Sequence, residues 1–161
     1  MKKYLVATAL IIACQSTFAQ STKDIFEEFG KEWNAESVSI SPFLMTIGRL
    51  FMDSDTPEIA KSINSMKVLD LEDCSNKVKA QFNEKVNNLQ LEGYETMIQA
   101  IEDGEKVRIL TRMENDTVRE LLIVCTGNDD CALIQLNGKI KKEKLWTNFI
   151  GNKKIKAFKS E

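Results

Sequence analysis

The stretch after Gly93 restricts the fold of this chain more than any other part. Four runs rich in β-forming residues follow one another there, at residues 94–101, 106–113, 118–126 and 131–136. Turn-forming dipeptides separate or follow these runs: Asp103-Gly104, Asn115-Asp116, Gly127-Asn128 and Asn137-Gly138. Because connections this short join only antiparallel neighbours, the sequence predicts a four-strand antiparallel meander. Residues 121–125 are apolar at every position, which predicts a strand in the middle of the sheet.

Before residue 94, apolar residues recur mostly at helical spacing. The first helix is expected to reach Trp33, and the third is expected to extend as far as Met66. Four helices are predicted, and each begins at a capping serine or at a proline: Ser21, Pro42, Pro57 and Ser75.

Two short strands and a last helix complete the pattern. Val38 and Ile40 alternate with serines, which predicts one strand, and residues 68–71 predict another. Residues 144–150 carry apolar side chains at helical spacing. Together the elements predict a single α+β domain over residues 20–161. Its mainly antiparallel sheet combines the C-terminal four-strand meander with the short N-terminal strands and is packed by helices.

The composition suits one such domain and excludes several kinds of catalysis. With 161 residues, 43% of them hydrophobic, the chain is long enough to bury one core. It contains no histidine, so Ser-His-Asp triads, Cys-His dyads, His-ligated zinc and histidine bases are excluded. The seven glycines are scattered among turns and form no phosphate-binding motif, and we expect no cofactor.

The first 19 residues have the features of a secretory signal peptide. Lys2 and Lys3 precede an uncharged run of about ten residues, and Thr17 and Ala19 supply the small residues of a cleavage site after Ala19. A second interpretation stays open, because the residues before Cys14 resemble a lipobox in which Cys14 becomes the lipidated N-terminus. Both interpretations predict export, to the periplasm or to the outer membrane.

The charge of the rest of the chain gives no reason to expect nucleic-acid binding. Without Lys2 and Lys3 there are 20 basic and 24 acidic residues, a net charge of −4. The charge is uneven, since residues 139–161 contain eight lysines and two glutamates. This basic C-terminal tail could contact anionic lipid at a membrane surface, although a solvated helix and tail explain it more simply.

Three cysteines remain after residue 19, in a compartment that permits disulfides. Cys125 and Cys131 flank a predicted hairpin loop of five residues, so they could face each other and form a disulfide. Two buried free thiols are the alternative. Cys74 precedes the helix that begins at Ser75, and a helix N-terminus lowers a thiol pKa, but no base accompanies it.

The acidic clusters do not have the spacing of a calcium loop. Asp53 and Asp55 form one cluster, and Asn128, Asp129 and Asp130 form the other. Both are expected to be solvated turns. The sequence therefore predicts no metal site, and it assigns no catalytic residue.

Five short motifs follow one another along the chain: Ile25-Phe26-Glu27-Glu28-Phe29, Val38-Ser39-Ile40-Ser41, Gly93-Tyr94-Glu95, Val118-Arg119-Glu120-Leu121-Leu122 and Leu136-Asn137-Gly138-Lys139-Ile140. Taken together they resemble a family of small exported Bacteroidota domains of unknown function. The resemblance implies an envelope location and a compact α+β fold, and it implies no catalytic residue. Some members are encoded near extracytoplasmic-function sigma factors, which implies a role in envelope sensing.

These observations favour a non-enzymatic binding or regulatory module whose partner is an envelope protein or a small ligand. The apolar residues 43–52 are the candidate binding patch, with a plain core helix as the alternative. Two other functions stay open. One is a membrane-anchored lipoprotein component of the envelope, and the other is a His-independent hydrolase, which would need titratable side chains converging in a pocket.

Overall fold

The structure is a computed structural model that describes residues 21–42, 44–45, 58–89 and 91–145. Several predicted features lie outside the described residues: the cleavage site and Cys14, most of the apolar patch at residues 43–52, Asp53 and Asp55, and the basic tail from Trp146 onward.

The described chain forms a six-strand antiparallel sheet packed by helices, which confirms the predicted α+β class. The strands follow the order β1-β2-β6-β5-β4-β3 across the sheet. The helices are α1 (Thr22–Phe29), α2 (Glu58–Lys61) and α3 (Asn76–Asn87). The strands are β1 (Glu36–Ile40), β2 (Ile63–Asp70), β3 (Tyr94–Glu102), β4 (Glu105–Glu114), β5 (Thr117–Thr126) and β6 (Ala132–Lys141).

The predicted meander is formed by β3 to β6. Asp103 and Gly104 in the β3–β4 turn, and Asn115 in the β4–β5 turn, have positive φ angles. Gly, Asn and Asp adopt this conformation at lower cost than other residues, which is why these dipeptides predict turns. β5 lies between β4 and β6 with Leu122 and Val124 buried, as its continuous apolar run predicts.

The turn predicted at Asn137-Gly138 is wrong, because both residues lie inside β6. β2 passes beside Gly138, and a Cβ atom there would lie 2.3 Å from the Ser62 carbonyl oxygen. Gly138 thus permits a close approach of two backbones, which is the other common reason for a glycine within a strand.

The helix predicted to extend to Met66 is also wrong in length. α2 ends at Lys61, and β2 begins at Ile63. β2 pairs with β1 on one side and with β6 on the other. Two flanking ladders of hydrogen bonds, supplied by distant parts of the chain, outweigh the local helical spacing of the apolar residues.

α1 begins where the sequence predicts and ends sooner. Ser21 and Asp24 form a reciprocal capping box at its start. The helix stops at Gly30, and Asn34 then takes a positive φ angle that turns the chain. The predicted helix includes Trp33, but this residue lies beyond the helix end and is 85% exposed.

α1 and α3 pack on one side of the sheet, here called the helix-covered face. Ser75 caps α3 as predicted, its hydroxyl accepting from the Val78 N–H. Phe29 and Phe82 are buried between the helices and meet edge to face, with ring centroids 5.4 Å apart. Their cluster includes buried leucines from four strands: Leu69, Leu110, Leu122 and Leu133.

Candidate functional site

The opposite side of the sheet, here called the aliphatic face, is apolar across all six strands. Strand registers place one β-branched residue from each strand in a single transverse row: Val38, Val68, Ile134, Ile123, Ile109 and Ile98. A second row beside it contains Ile40, Met66, Leu136 and Leu121. At about 4.8 Å between strands, the first row spans about 24 Å.

The aliphatic row is only partly enclosed. Ile109 is 7% exposed, and Val38 at the sheet edge is 52% exposed. The other four members of the row are half-buried: Val68, Ile134, Ile123 and Ile98. Leu145 is buried against Val118 and Ile140 at one end of this face. Ile109 and Leu121 belong to a buried apolar cluster on this face. The partly exposed members of the row around that cluster are the candidate interaction surface.

A buried carboxylate lies on the helix-covered face, in β5. Glu120 is 4% exposed, and its carboxylate lies 2.5 Å from Arg112 Nη2 and also accepts from the Gln135 side-chain amide. The register sets Glu120 directly opposite Arg112. β-Bulges adjoin both residues, at Arg112/Met113 and at Val118/Glu120. Bulges redirect side chains, and here they accompany a charged pair on a face that otherwise buries leucines.

Tyr94 packs against this ion pair. The Arg112 guanidinium carbon lies 5.7 Å from the Tyr94 ring centroid, a cation–π distance. Burial, reinforced by a hydrogen bond to Glu120, raises the pKa of the Tyr94 hydroxyl above its ordinary value. The tyrosine is therefore a neutral hydrogen-bond donor at physiological pH.

Arg112, Gln135 and Tyr94 all hydrogen-bond to the Glu120 carboxylate. A general base must reach a substrate proton, whereas the Glu120 side chain is 5% exposed and engaged by its neighbours. This arrangement suits an ion pair that fixes strand geometry better than it suits a catalytic carboxylate.

Three cavities in the described part of the chain are small or polar. The cavity beside the aliphatic face, near Met97 and Leu145, has a volume of about 190 Å³. A second, of about 270 Å³, lies between α3 and the β5–β6 loop and is lined by Lys79. The third, of about 420 Å³, is lined by polar side chains such as Glu28 and Lys85. Small-molecule pockets are usually apolar and about 300–1,000 Å³, and none of the three meets both criteria.

Cys125 and Cys131 are free thiols in the structure. Cys125 pairs with Ala132, so its side chain lies on the aliphatic face, whereas the Cys131 thiol contacts Asn83 of α3 on the other face. Adjacent positions of a strand point to opposite faces, which separates the two sulfur atoms. The disulfide stays a prediction, and a thiol count would test it.

The Cys74 environment does not favour a reactive thiol. Burial raises the pKa of Cys74, and the nearby Glu32 carboxylate raises it further. Its thiol donates to the Trp33 carbonyl oxygen over 3.5 Å.

The described acidic loop is a hydrogen-bonded turn. The Asn128 and Asp129 N–H groups donate to the Glu105 carboxylate over 3.0 and 3.3 Å. Within residues 21–42, 44–45, 58–89 and 91–145, no three acidic or cysteine side chains are grouped as metal ligands. The helices in those same ranges are all too short or too polar to cross a membrane.

Sequence reasoning missed both the aliphatic row and the Glu120 cluster. Alternation within β1 singled out Val38 and Ile40, but the other members of the row come from strands whose pairing the sequence does not state. The position of Glu120 inside an apolar strand was the available signal for a buried charge.

Together the fold and these surfaces define a small α+β domain with a broad aliphatic sheet face. The chain belongs to the family described as Domain of unknown function (DUF4252), whose sequence profile matches residues 28–147. This supports the predicted resemblance to a family of unknown function. No curated protein and no solved structure is detectably similar to the chain.

Proposed function

We propose that this protein is an exported, non-enzymatic binding module that recognises another envelope protein through its aliphatic face. The transverse row of six β-branched residues carries the proposal. Every strand contributes to that row, and most of its members keep some solvent exposure. Burial of such a surface against a partner is favourable by about 25 cal/mol for each Å² of apolar area removed from water.

A protein partner fits this face better than a small ligand does. A sheet face about 24 Å wide presents a broad apolar area, and the adjoining cavity of about 190 Å³ is small for a ligand pocket. Typical protein interfaces cover about 800 Å² on each partner, and an area of that size requires a broad surface.

Export rests on the sequence of the first 19 residues and on the resemblance to small exported Bacteroidota domains. Cleavage after Ala19 yields a free periplasmic protein, and lipidation of Cys14 yields an anchored form of the same module. An intact mass of the protein from its cell envelope separates the two. A chain beginning at Gln20 supports the first form, and a lipid-sized addition on Cys14 supports the second. A chain that keeps Met1 and is recovered from the cytoplasm and not from the envelope would refute export.

A His-independent hydrolase is less well supported. Its best carboxylate in the described residues, Glu120, is enclosed and paired with Arg112. Glu28 does line the cavity of about 420 Å³, but it is paired there with Lys85, and hydrolysis would need titratable groups that converge on a substrate.

Site-specific photocrosslinking in living cells tests the binding surface. A benzophenone amino acid is introduced at Met66, in the second row of the aliphatic face, or at Lys67, the next residue of β2. Adjacent strand residues point to opposite faces, so Lys67 is a matched control. We expect a light-dependent adduct with another protein from position 66 and none from position 67.

The adduct is then verified with purified components. Met66→Asp is expected to weaken binding of the identified partner at least tenfold, about 1.4 kcal/mol, whereas Lys67→Asp is expected to change it little. Equal adducts from both positions, or no adduct from position 66, would overturn the proposed surface. An adduct with a second copy of the chain alone would also overturn recognition of another protein.

A further inference from the structure

We propose that the outer edge of β1, which pairs with no further strand of the described residues, pairs with the same edge of a second copy of this chain, forming a symmetric antiparallel dimer. β1 is the outermost strand, and within the described part of the chain its pairing is with β2 alone. Glu36, Ser37, Val38 and Ser39 are all exposed. An exposed edge strand carries backbone N–H and C=O groups that can pair with another strand.

The two edges of the sheet differ in their protection against such pairing. At the β3 edge, a bulge interrupts the register between Thr96 and Ile98, and Glu95 and Glu102 add negative charge. Bulges and charged residues are the usual devices that block edge-to-edge association. β1 keeps an uninterrupted register with β2, and its one charged residue is the terminal Glu36. The structure therefore favours association at β1.

β1 is complementary to itself in the antiparallel direction. With the two-fold axis at Val38, this residue lies opposite its own copy, Ser37 lies opposite Ser39, and Glu36 lies opposite Ile40. No like charges face each other, and the valine pair is favourable in a sheet. A two-fold interface requires this kind of self-complementarity.

The aliphatic row explains why a second copy, and not an unrelated strand, is the occupant. Val38 is the outermost member of the row and is 52% exposed. In the dimer it contacts the Val38 of the second copy, so the row continues unbroken from one sheet into the other. The pairing uses the edge and leaves the aliphatic face open, so it does not depend on the proposed function.

The dimer is expected to be weak. A pairing of two five-residue strands buries less than the roughly 800 Å² per partner of a standard interface. The dimer should therefore form only at high protein concentration and dissociate on dilution. Sedimentation velocity on the mature protein, up to about 1 mM, should show a dimer fraction that rises with concentration.

Two substitutions locate the interface. Val38→Lys places two lysines opposite each other at the two-fold axis and is expected to abolish the dimer. Ile101→Lys is the matched control, because Ile101 is 60% exposed on the opposite edge strand, and it should leave the dimer unchanged. Both side chains are exposed, so circular dichroism should show folded protein in each case.

Disulfide trapping gives an independent measurement. Val38→Cys should form a cross-linked dimer under mild oxidation, since directly opposed strand residues approach disulfide distance. Ile101→Cys should stay monomeric. A monomeric wild-type protein at the highest concentration, a dimer that survives Val38→Lys, or a mixed disulfide between the two cysteine variants would overturn the proposal. Met66→Asp should retain the dimer, because Met66 lies in β2 and not at the outer edge of β1, so the dimer and the partner surface are tested separately.

Discussion

The Arg112–Glu120 ion pair should respond unequally to removal of its two members. The Glu120 side chain is 5% exposed, whereas that of Arg112 is 53% exposed. Arg112→Met leaves the buried Glu120 carboxylate without its ion-pair partner. Glu120→Gln leaves a guanidinium that water can reach, and an amide that still accepts hydrogen bonds. The first substitution is therefore expected to destabilise the fold more than the second.

The sizes of the two effects follow from this geometry. Charges about 4 Å apart attract each other by about 4 kcal/mol at an effective dielectric constant of about 20. Solvent around Arg112 screens part of this attraction. We expect Arg112→Met to lower the free energy of unfolding by about 3 kcal/mol and Glu120→Gln by about 1 kcal/mol. For a domain of this size, those losses lower the melting temperature by about 9 and 3 °C.

Urea unfolding at neutral pH, followed by far-ultraviolet circular dichroism, measures both losses. Arg119 and Glu114 provide the control, because this pair spans the same two strands with 2.6 Å between its charged atoms but 38% and 65% exposure. Arg119→Met should cost less than about 1 kcal/mol. An equal loss of stability in Glu120→Gln and Arg112→Met, or a loss in Arg119→Met as large as that in Arg112→Met, would contradict this expectation.

Two further predictions concern single side chains. Tyr94 is the sole tyrosine after residue 19, so tyrosinate absorbance of a chain that begins at Gln20 reports it alone. Because folding raises the pKa of Tyr94, its stabilising contribution is complete below about pH 10 and is lost as the pH rises further. Native titration near pH 10, or the same alkaline loss of stability in Tyr94→Phe, would contradict this. Burial likewise raises the pKa of Cys74, Cys125 and Cys131, so native protein should react slowly with iodoacetamide at neutral pH. All three thiols should react rapidly in urea, and a count of one would reveal the disulfide that the register disfavours.

Much of the secondary structure was predictable because its signals are local. The capping box of Ser21 and Asp24 marks the start of α1, and Asp103-Gly104 marks the β3–β4 turn. Each depends on hydrogen bonds or φ angles within about four residues, so the residue types in that short segment are enough to predict it. The meander could therefore be predicted in full except at its end. There Gly138 permits the close approach of the backbone at the start of β2 and does not form a turn.

The candidate surfaces could not be predicted in this way. Val38 and Ile98 belong to one row because four intermediate pairings align them, and a slip of one residue in any pairing would turn a strand's side chains to the other face. The burial of Glu120 depends likewise on bulges and on Gln135 from the neighbouring strand.

By itself the sequence determined the element types, the antiparallel meander, the absence of histidine chemistry and the expectation of export. Tertiary structure decided that residues 63–66 join β2, that β2 pairs with β6, and that six aliphatic side chains share one row. The division has a physical cause. Caps and turns are stabilised by neighbours along the chain, whereas strand pairing is stabilised by partners about seventy residues away.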